Sequence, residues 1–148
     1  MPSERIREFY DLESFAVVGM SLTAKNISWS IFEQLTELGK RVYPINPKEG
    51  DKGGIHFYKS LDSLPEKPEG IIICVDLSKT QGLLESVKNS DAKYIWFQQG
   101  CFDNEDIAAA NRLGLDPIKG CAMMYMPGTA VFHRFHRALN ELFGKGYK

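Results

Sequence analysis

The run Gly70-Ile71-Ile72-Ile73-Cys74-Val75 carries the clearest structural signal in the chain. Its side chains are apolar almost without interruption, whereas a strand with one face in water alternates apolar with polar residues. Such a run is typical of a central strand in a parallel sheet that helices cover on both faces. We therefore expect the flanking segments to supply further strands and the covering helices.

Strand-like segments lie on both sides of this run. Residues 15–18 and residues 94–97 are short apolar runs typical of buried strands. Residues 41–45 form another, and Pro44 within it is expected near a strand end or a bulge, because proline cannot donate to a ladder. Residues 115–119 predict a fifth, shorter strand.

Helical patterns separate these strands. Apolar side chains recur at helical spacing over residues 27–38, and Gly39 follows where a helix end favours a left-handed residue. Ser78, with Gln81 three residues later, is a capping-box signature for the next helix. Asp103 is the predicted N-cap of a third helix.

Two further segments differ in character. Residues 129–143 place their apolar side chains on one helical face, which predicts a last amphipathic helix that docks on the domain. Residues 46–54 are polar and rich in glycine, which predicts a loop.

Strands that alternate with helices at spacings of roughly 20 to 30 residues imply right-handed crossovers between parallel strands. We therefore predict a single Rossmann-like α/β domain over residues 1–148, with a doubly wound parallel sheet of about five strands and flanking helices. Its core is expected over about residues 10–121, and its C-terminal helix over about residues 129–143.

The composition excludes several classes of protein. The chain has 148 residues, and 18 basic against 19 acidic residues leave a formal net charge of −1, which argues against nucleic-acid and membrane-surface partners. The start lacks a secretion signal, and no apolar run approaches the roughly 20 residues of a membrane span. We therefore expect a cytoplasmic protein whose three cysteines are reduced thiols.

In a doubly wound sheet the ligand crevice lies beyond the carboxyl ends of the strands, where the strand order reverses. This rule nominates the segment from Gly19 to Ser28, which leads from the first strand into a helix N-terminus. Backbone N–H groups and the helix dipole favour phosphate there, and Lys25 adds one positive charge. The alternative is an ordinary turn in which Asn26 or Ser28 only caps the helix.

The dinucleotide fingerprint G-x-G-x-x-G is absent, since Gly19 is followed by Met20 and Ser21. An NAD site also favours an acidic residue after the second strand, whereas this chain has Asn46-Pro47-Lys48 there. A cation at that point suits a phosphorylated ribose, either the 2′-phosphate of NADP or the 3′-phosphate of coenzyme A. The alternative for Lys48 is a solvated loop lysine.

Several segments of the chain together form a recognisable series: residues 15–21, Lys25, Ser28-Trp29, residues 41–48, residues 58–65 and residues 96–100. Taken in order, these segments resemble the small stand-alone CoA-binding domain family, which is similar to the CoA-binding domain of the succinyl-CoA synthetase α subunit. Their order and spacing together are the signal, and the likeness spans about residues 10–121.

This resemblance implies that the ligand is coenzyme A or an acyl-CoA. The residues that it implies around the pyrophosphate are Gly19, Ser21, Lys25, Asn26 and Ser28. It places the 3′-phosphoadenosine beside Pro47 and Lys48 and an edge of the adenine pocket at Val75, for which plain sheet core is the alternative. Their neighbours Met20 and Asn46 complete the predicted binding set.

The sequence predicts no catalytic residue and no metal site. Cys74 lies within an apolar strand, and neither Cys101 nor Cys121 has a base nearby in sequence, so thiol exchange with CoA is a minor reading for these two. His133 and His136 share a helix face, but no third metal ligand is near them in sequence.

A binding protein is therefore favoured over an enzyme. Two alternatives remain open at this point. One is an NADP-linked reductase. The other is a regulatory or interaction module with a vestigial nucleotide site, whose methionine-rich residues 123–126 contact a second copy or another protein.

Overall fold

The computed structural model describes residues 4–21, 26–48 and 50–125. Two short 3-10 turns, Leu61–Ser63 and Leu77–Lys79, join some of the regular elements. The helices and strands follow in this order: α1 (Glu4–Asp11), β1 (Ser14–Val18), α2 (Ile27–Glu37), β2 (Arg41–Ile45), β3 (Gly50–Lys52), β4 (Ile55–Phe57), β5 (Gly70–Ile73), α3 (Thr80–Asn89), β6 (Tyr94–Gln98), α4 (Asn104–Arg112), β7 (Ile118–Gly120) and α5 (Ala122–Tyr125).

Five of the strands form one parallel sheet in the order β2-β1-β5-β6-β7. From β1 the chain moves to β2 on one side, then returns to place β5 on the other side. The strand order therefore reverses between β1 and β5, which makes that point the ligand crevice of a doubly wound sheet. The predicted Rossmann-like α/β fold is confirmed.

Helices cover both faces of the sheet, which explains the apolar run of β5. Ile72 belongs to a core cluster on one face, whereas Ile71 and Ile73 belong to a cluster on the other face. All four residues of β5 are buried, so side chains on either side of the strand gain from leaving water.

Several predicted boundaries were wrong. The helix near Ser78 begins only at Thr80, and Ser78 lies in the preceding 3-10 turn rather than at an N-cap. The fifth strand is shorter than predicted and covers Ile118–Gly120. The predicted loop contains β3, which pairs with β4 directly after the loop as a short antiparallel ribbon, because the two glycines between them adopt positive φ and close a tight turn.

The sequence analysis also missed α1. This helix is short and polar on one side, but its Phe9 is fully buried and its ring lies 5.2 Å from the rings of Phe15 and Trp96, centroid to centroid. Tertiary packing rather than local pattern therefore stabilises it. The predicted helix over residues 129–143 lies outside the described residues.

In the parts of the chain that are described, no helix has both the length and the apolar character needed to cross a bilayer.

Candidate functional site

The crevice is built around Gly19, which directly follows β1. Its φ of +95° is a conformation that residues with a Cβ rarely adopt. A Cβ placed here would lie 2.7 Å from Cγ1 of Val75, 2.8 Å from its backbone nitrogen and 2.9 Å from the carbonyl carbon of Cys74. Glycine therefore lets the segments that follow β1 and β5 touch at the point where the strand order reverses.

Hydrogen bonds join the segment after β2 to the same place. The N–H of Gly19 donates to the carbonyl of Ile45 at 2.9 Å, and the Asn46 side chain donates to the carbonyl of Met20 at 3.0 Å. The carboxamide oxygen of Asn46 accepts the N–H of Lys48 at 2.9 Å, which closes an Asx turn. Lys48 is thus held at the crevice by its backbone, while the residue itself is exposed.

The N-terminus of α2 forms the next wall. Asn26 is the N-cap, and its side-chain oxygen accepts the N–H of Ser28 at 3.0 Å and the hydroxyl of Ser28 at 2.5 Å. Asn26 therefore caps the helix, as the alternative of an ordinary turn requires. This capping leaves the exposed side of Asn26 facing outward at the tip of the helix dipole.

Two members of the predicted set are buried, which changes what they can do. The Met20 side chain is fully buried in the core, and Ser28 is only 1% exposed. Met20 therefore contributes to the crevice through its backbone. Ser28 lies behind Asn26 and holds its carboxamide in place.

Sequence reasoning did not assign a role to Trp29. Its indole N–H donates to the carbonyl of Ser21 at 2.8 Å, so the buried indole fixes the backbone of the loop after β1. A tryptophan three residues after a predicted N-cap was the available signal, but its donor atom has many possible acceptors until the fold is known. Lys25 lies outside the described residues.

The acidic residues distinguish α2 from α4 as a phosphate site. The first turn of α2 has no acidic residue, whereas α4 begins with the cap Asp103 and carries Glu105 and Asp106. Asp103 and Asp106 each accept the other's backbone N–H at 2.9 Å, which already satisfies the tip of α4. Anions are therefore favoured at α2 and repelled at α4.

A cleft of about 670 Å³ next to the tip of α4 is also acidic. It is lined by Asp76, Leu77, Ser78, Gln81, Asp103 and Asp106. Three carboxylates make its surface negative, so the phosphates of a nucleotide are disfavoured there. Since Asp76 follows Val75 in the chain, the cleft borders the crevice on the side away from β2.

Two of the three thiols are poor nucleophiles at neutral pH. Burial raises the pKa of the Cys74 thiol well above its usual range. Burial, together with the negative charge of Asp76, raises the pKa of Cys101 to about 11. Both groups are therefore overwhelmingly thiols rather than thiolates near pH 7.

This protonation state predicts slow alkylation of Cys101. We expect iodoacetamide to modify it about 10- to 100-fold more slowly at pH 7.5 than an ordinary exposed thiol, because less thiolate is present. The rate should rise about tenfold per pH unit from pH 7 to 9.5, since the whole range lies below the raised pKa. Peptide mapping by mass spectrometry separates Cys101 from the other cysteines. A rate that levels off by pH 8.5 would contradict the raised pKa.

The predicted residues within the described part of the chain thus fall into two groups. Contacts and hydrogen bonds link the segments of Gly19, Met20, Asn46, Lys48 and Val75 at one crevice. Asn26 and Ser28 lie at the tip of α2, which the Trp29 hydrogen bond ties to the loop after Gly19. A nucleotide-sized ligand would find backbone amides, one cation and an apolar wall in this arrangement.

Comparison with known proteins decides the family. The sequence model described as a CoA binding domain matches residues 13–127, more than three quarters of the chain. The chain belongs to the CoA-binding domain family. The resemblance inferred from the sequence motifs is thereby confirmed, and this CoA-binding domain carries its crevice residues inside the matched range.

Two curated relatives are acetate–CoA ligases of the ADP-forming type. The II subunit alpha from Pyrococcus furiosus is 34% identical over 68 residues, which cover 45% of this chain and 15% of that protein. The ligase from Methanocaldococcus jannaschii is 32% identical over 63 residues, which cover 43% of this chain and 9% of that protein. The aligned regions thus span only a small part of either ligase.

A solved structure matches the whole domain more fully. A hypothetical protein from Pyrococcus horikoshii OT3 is 28% identical and superposes with a TM-score of 0.74, covering 94% of this chain and 93% of the other. The CoA-binding domain described here therefore has the architecture of a solved protein of similar extent.

Proposed function

We propose that this chain is a single-domain protein that binds coenzyme A or an acyl-CoA in the crevice between β1 and β5. One observation carries the proposal: the backbone of Gly19 abuts Val75 on one side and is tied to the β2 segment on the other. Three sequence segments with nucleotide-binding character are thereby brought to the strand-order reversal, where doubly wound sheets bind ligands.

The proposed ligand lies along the carboxyl edge of the sheet. Its pyrophosphate lies at the tip of α2, where Asn26 holds the helix start and the first turn carries no competing acid. Its 3′-phosphate pairs with the ammonium of Lys48, and its adenine packs against Val75. Adjacent strands are about 4.8 Å apart, so the ligand crosses from β2 over β1 to β5 within about 10 Å.

Recognition without catalysis is the second part of the proposal. Cys74 and Cys101 are held as thiols by burial, so neither supplies a ready nucleophile near pH 7. We infer that the protein holds its ligand and that any transfer of the acyl group depends on another protein.

Titration calorimetry with four ligands tests this function. We expect binding of CoA, weaker binding of dephospho-CoA because the 3′-phosphate is lost, and little binding of NAD. A preference for NADP over CoA would favour the reductase reading. Failure of all four to bind would favour an interaction module without a working nucleotide site.

A negative charge at the α2 cap should weaken ligand binding without destabilising the fold. Asn26→Asp keeps a side-chain acceptor for the Ser28 amide, and a carboxylate is favourable at a helix N-terminus, so thermal stability should stay within about 1 kcal/mol of the parent. The added negative charge faces the proposed pyrophosphate. We therefore expect at least about tenfold weaker CoA binding, measured by calorimetry.

The matched control is Asp103→Asn, which makes the reverse exchange at the cap of α4. That helix lies outside the proposed phosphate site, so this variant should bind CoA with the affinity of the parent. Unchanged CoA affinity in Asn26→Asp would place the pyrophosphate elsewhere.

A further inference from the structure

Two side chains hold the carbonyl groups of the loop that follows β1. The indole N–H of Trp29 donates to the carbonyl of Ser21 at 2.8 Å, and the carboxamide N–H of Asn46 donates to the carbonyl of Met20 at 3.0 Å. Trp29 belongs to α2, whereas Asn46 directly follows β2. Two consecutive peptide groups of the loop are therefore held by two different elements of the fold.

Packing holds the Trp29 indole in one orientation. The residue is only 4% exposed, and its ring lies 6.0 Å from the ring of Phe57 and 6.4 Å from the ring of Phe32, centroid to centroid. Phe57 is itself fully buried at the end of β4. A side chain that packing has already immobilised loses little further conformational entropy, so its hydrogen bond can form before any ligand binds.

The direction of the Ser21 carbonyl matters to an anionic ligand. A carbonyl oxygen carries partial negative charge and repels a phosphate that approaches it. Because the Ser21 carbonyl accepts from a buried indole, it points toward the core rather than toward the crevice. Loss of the indole donor would favour a turn of this carbonyl toward water, since a buried polar group needs a replacement partner.

The same hydrogen bond joins the loop to the tip of α2. Trp29 is the third residue of the helix, and its backbone N–H donates to the carbonyl of the cap, Asn26, at 3.1 Å. The indole therefore stabilises the position of Ser21 relative to this cap. Binding groups need to be held within about 0.5 Å of their productive positions, so a displaced loop would weaken a phosphate site at the helix tip.

We propose that Trp29 is a positioning residue for the pyrophosphate of the ligand, because its indole holds the loop after β1 against the tip of α2 before the ligand binds. This inference rests on the CoA-binding function proposed above. The indole is buried, so it acts through the loop rather than by touching the ligand.

Asn46 has a broader effect than Trp29. It holds the carbonyl next to that of Ser21, but its carboxamide oxygen also accepts the backbone N–H of Lys48 at 2.9 Å. A change at Asn46 therefore disturbs the proposed 3′-phosphate site as well as the loop, whereas a change at Trp29 disturbs the loop. The two residues have separable effects on a ligand that carries both kinds of phosphate.

Trp29→Phe removes the indole donor and keeps an aromatic ring against Phe32 and Phe57. We expect the dissociation constants of CoA and dephospho-CoA to rise by the same factor, about tenfold, because both ligands carry the pyrophosphate. Titration calorimetry measures both constants. Constants within about twofold of the parent values, in a folded variant, would overturn the proposal.

Trp96→Phe is the matched control, because it makes the same chemical change elsewhere in the sheet. The Trp96 indole is fully buried and donates to the carbonyl of Gly120 at 2.9 Å. Trp96 lies on β6, two strands away from β1. Both variants should lower the midpoint of thermal unfolding, but only Trp29→Phe should weaken binding. Equal losses of affinity would show that general destabilisation is the cause and would refute a positioning role.

Asn46→Ala tests which phosphate depends on Trp29. The dissociation constant of dephospho-CoA divided by that of CoA measures the contribution of the 3′-phosphate. This ratio should fall toward one in Asn46→Ala, because the backbone of Lys48 is released, and should keep its parent value in Trp29→Phe. A ratio that also falls in Trp29→Phe would contradict the assignment of Trp29 to the pyrophosphate.

The unmodified protein gives a test that does not depend on a folded variant. The chain has two tryptophans, so heteronuclear NMR resolves two indole N–H groups. We expect the Trp29 indole N–H to exchange slowly with solvent in the absence of ligand, because it is already buried and hydrogen-bonded. Rapid exchange that becomes slow only when CoA is added would show that the loop is not held before binding, which overturns the proposal.

The parent protein distinguishes failure of this inference from failure of the proposed function. If the parent binds CoA and Trp29→Phe binds it equally well, only the role of Trp29 is overturned. If the parent binds neither CoA nor dephospho-CoA in the same calorimetric titrations, the proposed function fails and the positioning role fails with it.

Discussion

Lys48→Ala is expected to weaken CoA binding by about 1.5–3 kcal/mol, roughly a 10- to 150-fold rise in the dissociation constant, because one charge-assisted hydrogen bond to the 3′-phosphate is lost. Dephospho-CoA lacks that phosphate, so its affinity should hardly change. Lys48 is exposed and its backbone N–H is held by Asn46, so folding should be unaffected. Calorimetry with both ligands measures the difference.

Lys88→Ala is the matched control for Lys48→Ala. Lys88 is an exposed lysine in the last turn of α3, which leads back to the amino end of β6, whereas the crevice lies at the carboxyl ends of the strands. Its removal therefore changes the net charge equally without touching the proposed site. CoA affinity in this variant should be close to that of the parent. Equal losses for CoA and dephospho-CoA in Lys48→Ala would remove that lysine from the 3′-phosphate site.

Gly19→Ala is expected to have the largest effect on folding. The new Cβ would lie within 3 Å of backbone atoms of Cys74 and Val75, and the residue would also have to adopt a φ of +95°. Strain and overpacking together should lower the free energy of unfolding by about 2–5 kcal/mol. Where the variant folds, the segments after β1 and β5 are pushed apart, so CoA affinity should fall as well.

Gly39→Ala separates these two causes. Gly39 also has a positive φ, +84°, but a Cβ there would have no atom within 4 Å. It therefore carries the backbone strain without the collision, and about 1 kcal/mol is expected. Denaturant unfolding of both variants measures the difference. Equal losses in the two variants would show that the close approach at Gly19 contributes nothing.

Local chemistry made much of the site predictable. A short apolar run followed by glycine and then by a capping residue indicated a strand, a turn and a helix tip, and Asn26 does cap α2. A lysine in place of an acidic residue after the second strand pointed to a phosphorylated ribose. Both signals depend on residues within a few positions of each other, so one sequence suffices to detect them.

Other features depend on residues that are distant in the chain. The Cys101 thiol owes its raised pKa to burial and to Asp76, which lies 25 positions earlier and is brought near by the pairing of β5 with β6. The sequence analysis asked only whether a base lies near Cys101 in sequence. In the same way, α1 depends on the aromatic contacts of Phe9 with Phe15 and Trp96, which no local pattern contains.

The amino-acid sequence alone is enough to predict the alternation of strands and helices, the apolar character of β5 and the kinds of residue available to a ligand, because these follow from periodicity and side-chain chemistry along the chain. Which of those residues come into contact depends on the fold. Gly19 and Val75 are 56 positions apart, and the parallel register of β1 with β5 places them in contact. Met20 and Ser28 are likewise buried, because the packing of α2 on the sheet determines which side chains of the helix and of the preceding loop face the core.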